Sequence, residues 1–529
     1  MSEQASPEIT GDFEIHLTVH DHATNRLAEF ADRHGLKYVH VVLDRGITRS
    51  QPMLTLAGSG SLADQHALAG HWAGQLSAVG LRPARTKIEA APWCAGVPGT
   101  DAEVEAEPAG RYFEHHVKLL LPAEDVACLL AVAAVGEQHD ARLSRNARRI
   151  RDDGRQERFL TQRCHRVGRE SARFRLDRLV TALRDAGWEI ASVEQEYVVY
   201  DDRLSLDADW LVEDPVPEHR RRWEAQRRAA PAGAAGYPAT YRPLPDTPGM
   251  SQRAAFDPAV KQHSNAYRAG EPEFAERGAW RQWTRARRTA MAHLLNAVLR
   301  TPWAGQLVLR GSVTMSAWFG GDAREPGDVD FVVEPFAMGS RSAEAAAMLD
   351  GIVAELRARP GAGLDPDQVK VEEIWTYERA DGRRLVIPFT APGVPDGSVQ
   401  VDFVFNEYLP IAPVAVLLDG VGVAMRAASP ALSLAWKLMW LATDRYPQGK
   451  DLYDAVLLAE HTAVDLSLVR DLLRPELREE ADAFTAQSVL EWDVDWANFT
   501  DEYPSVTGDG EAWKRRLALA LHRSWFPGA

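Results

Sequence analysis

Residues 306–333 read QLVLRGSVTMSAWFGGDAREPGDVDFVV, and this stretch decides how the second half of the chain is read. An apolar run ends at Leu309-Arg310 and meets Gly311-Ser312, the pattern of a strand that turns into a helix. Glycine at such a turn lets backbone come close to a ligand. Asp328-Val329-Asp330 then opens a second apolar strand. Side chains alternate along a strand, so two aspartates separated by one residue share a side of the sheet. A third acid, Asp402, sits inside VQVDFVFN. An acidic pair at a strand end is commonly just solvated. Three converging carboxylates are different: a cation compensates them, or one stays protonated. Hard oxygen donors in this pattern favour Mg²⁺ or Mn²⁺. Ser312 adds a hydroxyl, and the helix start adds N–H groups with a partial positive charge, which suits a phosphate.

Working outward, the basic stretch WRQWTRARRTAMAHLLNAVLR predicts a helix before the motif, and an Ala-rich stretch predicts another near 342–358. VKVEEIWTYER, RRLVIPFTAP and SVQVDFVFNEY predict strands, and from Ser429 onward the pattern is mainly helical. The expectation is a mixed α/β domain over 276–425 followed by a helical subdomain over 426–529.

Strand, Gly-Ser, helix, D-h-D strand and a later strand aspartate resemble the signature of the nucleotidyltransferase superfamily with a DNA polymerase β-like fold. A second block, Leu434-Ala435-Trp436-Lys437-Leu438-Met439-Trp440-Leu441-Ala442 and then Lys450-Asp451-Leu452-Tyr453-Asp454-Ala455, resembles the helical motif of the AbiEii/AbiGii nucleotidyltransferase toxins. Arg324, four residues before Asp328, is similar to an arginine of that family. The resemblance spans about residues 280–460. It implies a bilobal transferase using a nucleoside triphosphate (NTP) and a divalent metal. It also implies a toxin of a toxin–antitoxin or phage-defence system, with an antitoxin protein as partner. Carried over, Asp328, Asp330 and Asp402 are catalytic metal ligands, Asp402 also helping to activate the attacking hydroxyl. Gly311, Ser312, Arg324, Lys437 and Asp451 are nucleotide-binding. The chain departs from the family pattern at Ser312-Val313-Thr314, at Pro326 and at Lys450, which keeps a charge where the motif has arginine but loses its planar fork. Read from the residues alone, the alternative for Lys437 is a lysine snorkelling over Trp436 and Trp440, and Asp454 is equally a polar packing group.

The first 200 residues read as a diverged duplication. Phe13-Glu14-Ile15-His16 answers Phe113-Glu114-His115-His116, Met53-Leu54-Thr55 answers Phe159-Leu160-Thr161, and Gly80-Leu81 answers Gly187-Trp188, the offset drifting from 100 to 107. Each copy has a βαββαβ order, which suggests ferredoxin-like modules over 10–95 and 110–203. His16-Leu17-Thr18 resembles half of the HxT pair of two-histidine phosphoesterases. Because Val117-Lys118 follows His116, the second half is missing and ordinary strand histidines are expected. Between 142 and 184, fourteen arginines face five acids, a local balance of +9. This is either an RNA or DNA footprint, with Arg148, Arg149 and Arg151 as acceptor-binding residues, or a solvated arginine face. Prolines crowd 214–272, an extended connector or a flexible linker.

Sixty Lys and Arg against seventy-six Asp and Glu give 529 residues a net charge of −16, so any nucleic-acid footprint is local and no membrane partner is expected. Three cysteines without CxxC spacing support neither a disulfide framework nor structural zinc. An acidic start and the lack of an apolar run of membrane length place the chain in the cytoplasm. The expected fold class is α+β multidomain: a duplicated ferredoxin-like region, a polymerase β-like core and a helical subdomain. The expected function is metal-dependent transfer of a nucleoside monophosphate from an NTP to RNA such as tRNA, or to protein. The alternatives are a nucleotide-binding regulatory or scaffold protein with little turnover, and a small-molecule nucleotidyltransferase.

Overall fold

The structure, a computed structural model, describes residues 8–46, 48–105, 107–108, 110–122, 125–147, 155–208, 210–211, 241, 247–252, 254–255, 266–267, 272–374 and 381–526. Most of the connector over 214–272 lies outside them, as do Arg148, Arg149 and Arg151. The chain forms two compact units that divide near residue 218, with 485–491 belonging to the first. Among the described residues no helix is long and apolar enough to cross a membrane, and the three cysteines are free.

The first unit is a closed barrel of eight strands. Its first repeat runs β1 (Thr10–Val19), α1 (Thr24–His34), β2 (Lys37–Leu43), β3 (Ser50–Ser61), α2 (Leu62–Ala78) and β4 (Pro83–Ala90). The second runs β5 (Tyr112–Pro122), α3 (Val126–Glu137), β6 (Ala141–Asn146), β7 (Arg155–His165), α4 (Arg169–Asp185) and β8 (Ile190–Asp201). Each repeat contributes its strands in one order, β4-β1-β3-β2 and β8-β5-β7-β6, and the ring closes where β2 pairs with β6 and β4 with β8.

Strand alternation sorts the side chains. Phe13, Ile15 and Leu17 pack outward on Leu27 and Phe30 of α1 and Leu76 of α2, while Val117, Leu119 and Leu121 pack on α3 and α4. Each such buried side chain contributes about 1.5–3 kcal/mol. The alternate residues, Glu14 and His16 on β1 and Glu114 and His116 on β5, therefore face the barrel interior. That interior is ionic. Arg163 bonds Glu114 and, at 2.6 Å, Asp207; Arg85 bonds Asp201 and Asp207; Lys87 reaches Glu89 at 2.5 Å and Glu114 at 2.6 Å. Burial alone would raise the Glu114 carboxyl, but Arg163 and Lys87 hold it well below the usual range. Burial likewise works against a charge on His116, yet its bonds to Glu114 and Glu196 hold the imidazole up at about 10.

The second unit centres on a seven-stranded sheet. In chain order it has α5 (Arg277–Arg300), β9 (Leu307–Arg310), α6 (Ser312–Phe319), β10 (Val329–Val333), α7 (Ala343–Ala358), β11 (Lys370–Ile374), β12 (Gly382–Ala391), β13 (Val394–Val404), β14 (Val414–Val416) and β15 (Met425–Ala427). The sheet order is β11-β12-β13-β10-β9-β15-β14. Helices α8 (Pro430–Thr443), α9 (Gly449–His461), α10 (Leu466–Leu477) and α11 (Gly510–Trp525) follow. Ser429 caps α8 by accepting from the Leu432 N–H, and Pro430 occupies its first turn, where the missing N–H is harmless. Leu309, Phe331, Val401 and Phe403 face α5 and α7 in one core with Leu294 and Ile352, Phe331 stacking on Phe403 at 5.7 Å. The intervening residues, Arg310, Asp330 and Asp402, point to the opposite face.

Candidate active site

Register brings the charged residues into line. Arg310 pairs with Asp330 across β9 and β10, Asp330 with Asp402 across β10 and β13, and Asp402 with Arg384 across β13 and β12. The result is a row, cation–acid–acid–cation, on one face of the sheet. Asp328 lies just before β10 rather than within it, yet one oxygen from each of Asp328, Asp330 and Asp402 falls within 4.8 Å of the others. These three can hold a metal ion.

Gly311 is fixed by the same geometry. Its φ of 79° is left-handed, and a Cβ there would lie 2.5 Å from Asp330 Oδ2. Any side chain would both strain the turn and push the carboxylate aside. Ser312 donates its hydroxyl to the Asp328 carbonyl at 3.3 Å, tying the start of α6 to the aspartate loop. The buried Arg287 holds that loop from the other side through the Pro326 carbonyl.

Burial, with the neighbouring charges of Asp328 and Asp402, pushes Asp330 well above the ordinary carboxylate range, and Arg310 and Lys437 only partly oppose this. Asp402 is also raised by burial, but Arg384 pulls the other way through two 2.7 Å bonds, one to each oxygen. Gln400 adds an amide donor to Asp402 at 3.2 Å. Asp402 is thus both a possible metal ligand and a member of a bidentate ion pair, and an ion must share it with Arg384.

Arg324, Lys437 and Asp451 meet beside this row. Arg324 grips both oxygens of Asp454 at 3.1 and 2.7 Å, and Lys437 lies 2.6 Å from Asp451 and 3.1 Å from Asp454. Burial disfavours the charge on Lys437, but the two aspartates keep its pKa raised; Asp454, buried too, is held low by Arg324 and Lys437. Asp454 is therefore the hub of the network. Lys437 also lies over the Trp440 ring at 5.1 Å, so its stem packs on tryptophan while its head joins the ion network. Arg310 stacks over both Trp436 and Trp440.

Three members of this neighbourhood are not marked by the motifs. Arg384 and Gln400 come into play only through strand register. Arg310 adjoins Gly311, but its position between Trp436 and Trp440 depends on where α8 packs.

Residues 293–520 match the model of a family described as AbiEii: Nucleotidyl transferase AbiEii toxin, Type IV TA system. The matched span is similar to AbiEii proteins. It takes in the whole sheet, all three carboxylates and the Lys437 network, and it leaves the barrel outside. AbiEii proteins are, by that description, nucleotidyltransferase toxins of type IV toxin–antitoxin systems. No curated protein and no solved structure matches the chain.

Proposed function

We propose that the second unit is a metal-dependent nucleotidyltransferase that moves a nucleoside monophosphate from an NTP to a hydroxyl of RNA, such as tRNA, or of protein. The convergence of Asp328, Asp330 and Asp402 beside the Gly311 turn carries this reading. The donor set, all carboxylate oxygen around a partly buried Asp330 whose charge is poorly compensated, fits Mg²⁺ or Mn²⁺. Such an ion, when bound, supplies positive charge to phosphate oxygens.

The chain's own residues do the rest. Gly311 and the first N–H groups of α6 receive the triphosphate without steric obstruction. Arg384 and Gln400 fix the Asp402 carboxylate where it meets the attacking hydroxyl. Lys437, steadied by Asp451 and Asp454, provides a positive field next to Asp330. Attack at the α-phosphorus forms the new P–O bond, and pyrophosphate departs with the electron pair of the broken one.

The first unit, in our reading, is a duplicated ferredoxin-like module serving acceptor recognition or restraint, and the second combines a polymerase β-like core over 276–425 with a helical subdomain over 426–529. The family suggests an antitoxin partner, and a role in phage defence and a cytoplasmic setting belong to the same reading. To test the reaction, the chain is incubated with Mg²⁺ or Mn²⁺, each α-³²P NTP and total RNA. Label on RNA or on protein supports transfer to that acceptor, and its absence with every nucleotide counts against the reading.

A further inference from the structure

The barrel carries one constellation twice. On β1, Glu14 and His16 stand opposite Glu89 on β4 and Thr55 on β3; on β5, Glu114 and His116 stand opposite Glu196 on β8 and Thr161 on β7. In each copy the histidine Nδ1 lies 3.0 Å from the threonine hydroxyl, and the three ligand atoms of Glu, His and Glu fall within 4.8 Å of one another. The hydroxyl companion that the sequence lacks after His116 is thus supplied in both copies by the third strand of the repeat.

The copies differ at two register positions: opposite His16 stands Lys87 where His116 has Glu194, and the partner of the first glutamate changes as well. Opposite Glu114 stands Arg163, whose guanidinium takes the carboxylate; opposite Glu14 stands Ala57, which is exposed and brings no charge. Among the described residues the ion-pair partner of Glu14 is Lys37, an exposed lysine at the rim, a pairing worth little. The first copy also opens to a cavity. β4 ends at Ala90, opposite Tyr197, so residues 193–196 of β8 pair with β5 alone. There a space of about 800 Å³ is bordered by two residues of the first copy, Glu14 and Glu89, by Trp93, and by one residue of the second copy, Glu196, whose partner Glu114 is already taken by Arg163.

We propose that Glu14, His16 and Glu89 form a divalent transition-metal site, with its remaining coordination positions open to this cavity, and that Glu114, His116 and Glu196 are its closed copy, filled from within by Arg163. One imidazole and two carboxylates suit Mn²⁺, Fe²⁺ or Zn²⁺ better than Mg²⁺. Ligand atoms of one ion, at bond lengths of about 2.1 Å, stand about 3 Å or more apart. The present 2.8 Å between His16 Nε2 and Glu89 Oε2 needs to open only slightly. Thr55 on Nδ1 and Lys87 on the other oxygen of Glu89 are the outer partners that fix ring and carboxylate.

The test uses the full chain carrying Asp328→Ala/Asp330→Ala, so that the sheet carboxylates contribute no ion. It is dialysed separately against Mn²⁺ and Zn²⁺, and bound metal is counted by mass spectrometry. At least one equivalent is expected. His16→Gln should weaken binding at least about tenfold and Thr55→Val about 10- to 100-fold. Ala57→Arg, which copies the second repeat into the first, should remove the ion while circular dichroism stays that of the parent. His116→Gln should leave binding unchanged. If His16→Gln does not fold, Glu14→Gln at the rim replaces it. No bound metal, or metal lost with His116→Gln and kept with His16→Gln, overturns the proposal.

Discussion

Glu114, buried in the barrel, and Asp330, partly buried on the sheet, are both carboxylates flanked by other acids, and their pKa values move in opposite directions. Glu114 lies against Arg163, Lys87 and His116 and is held low. Asp330 has Asp328 and Asp402 for neighbours, only weaker help from Arg310 and Lys437, and is pushed up. Glu114, which the fold equips with its own cations and which Arg163 fills, is structural. An acid left short of positive charge is a place for something to bind, because isolated buried charge is far too costly to keep without purpose.

The sharpest way to break this contrast is to take a cation from the barrel. Arg163→Met leaves the buried Glu114 to Lys87 and His116 and the buried Asp207 to Arg85, and should destabilise the first unit by about 3 kcal/mol in urea or thermal unfolding. A loss under 1 kcal/mol would mean that the pairing is not what keeps Glu114 charged.

Gly311→Ala tests the sheet by geometry instead of charge. Its Cβ falls on Asp330 in a left-handed backbone, so a loss of about 1–3 kcal/mol is expected. Transfer should drop about 10²-fold from displacement of the carboxylate. Unchanged turnover would separate Asp330 from the chemistry.

A third prediction concerns pH. A carboxyl whose folded pKa is raised contributes fully while protonated, and that contribution is lost as pH climbs through the raised value. The metal-free chain should therefore lose melting temperature above the ordinary carboxylate range. Asp330→Asn should flatten that decline and stabilise the alkaline side by about 1 kcal/mol, roughly 2–4 °C. Mg²⁺ should flatten it in the wild type, and a decline identical in both proteins would remove Asp330 as its cause. The smallest effect is expected at Arg173→Ala, whose partner Asp177 lies one helical turn away with both side chains more than half exposed: under about 0.5 kcal/mol.

The sequence made the chemistry of the sheet legible because its pieces are local: Gly311-Ser312 at a turn and Asp328-Val329-Asp330 at a strand start each announce themselves within a few residues. The alternation of EIHLTV and EHHVKL likewise exposed the repeated βαββαβ order. What it withheld depends on pairing across strands. Arg384 meets Asp402 only because a hairpin sets that register, and Arg163 meets Glu114 only because β7 lies beside β5. Closure of the ring rests on two seams between repeats, Val41–Asn146 among their pairs, which no local pattern marks. Within the +9 arginine cluster, Arg163 is spent inside the barrel, and Arg155 and Arg173 are paired with Glu189 and Asp177, none of which the local sequence marks.

The most direct test of the account is transfer of label from α-³²P NTP by the wild-type chain and by Asp328→Ala/Asp330→Ala, side by side, with Mn²⁺ or Mg²⁺ and total RNA. The account predicts label on RNA or protein that falls at least about 10³-fold in the double variant while its melting temperature is maintained or raised. Equal labelling by the two proteins would contradict it.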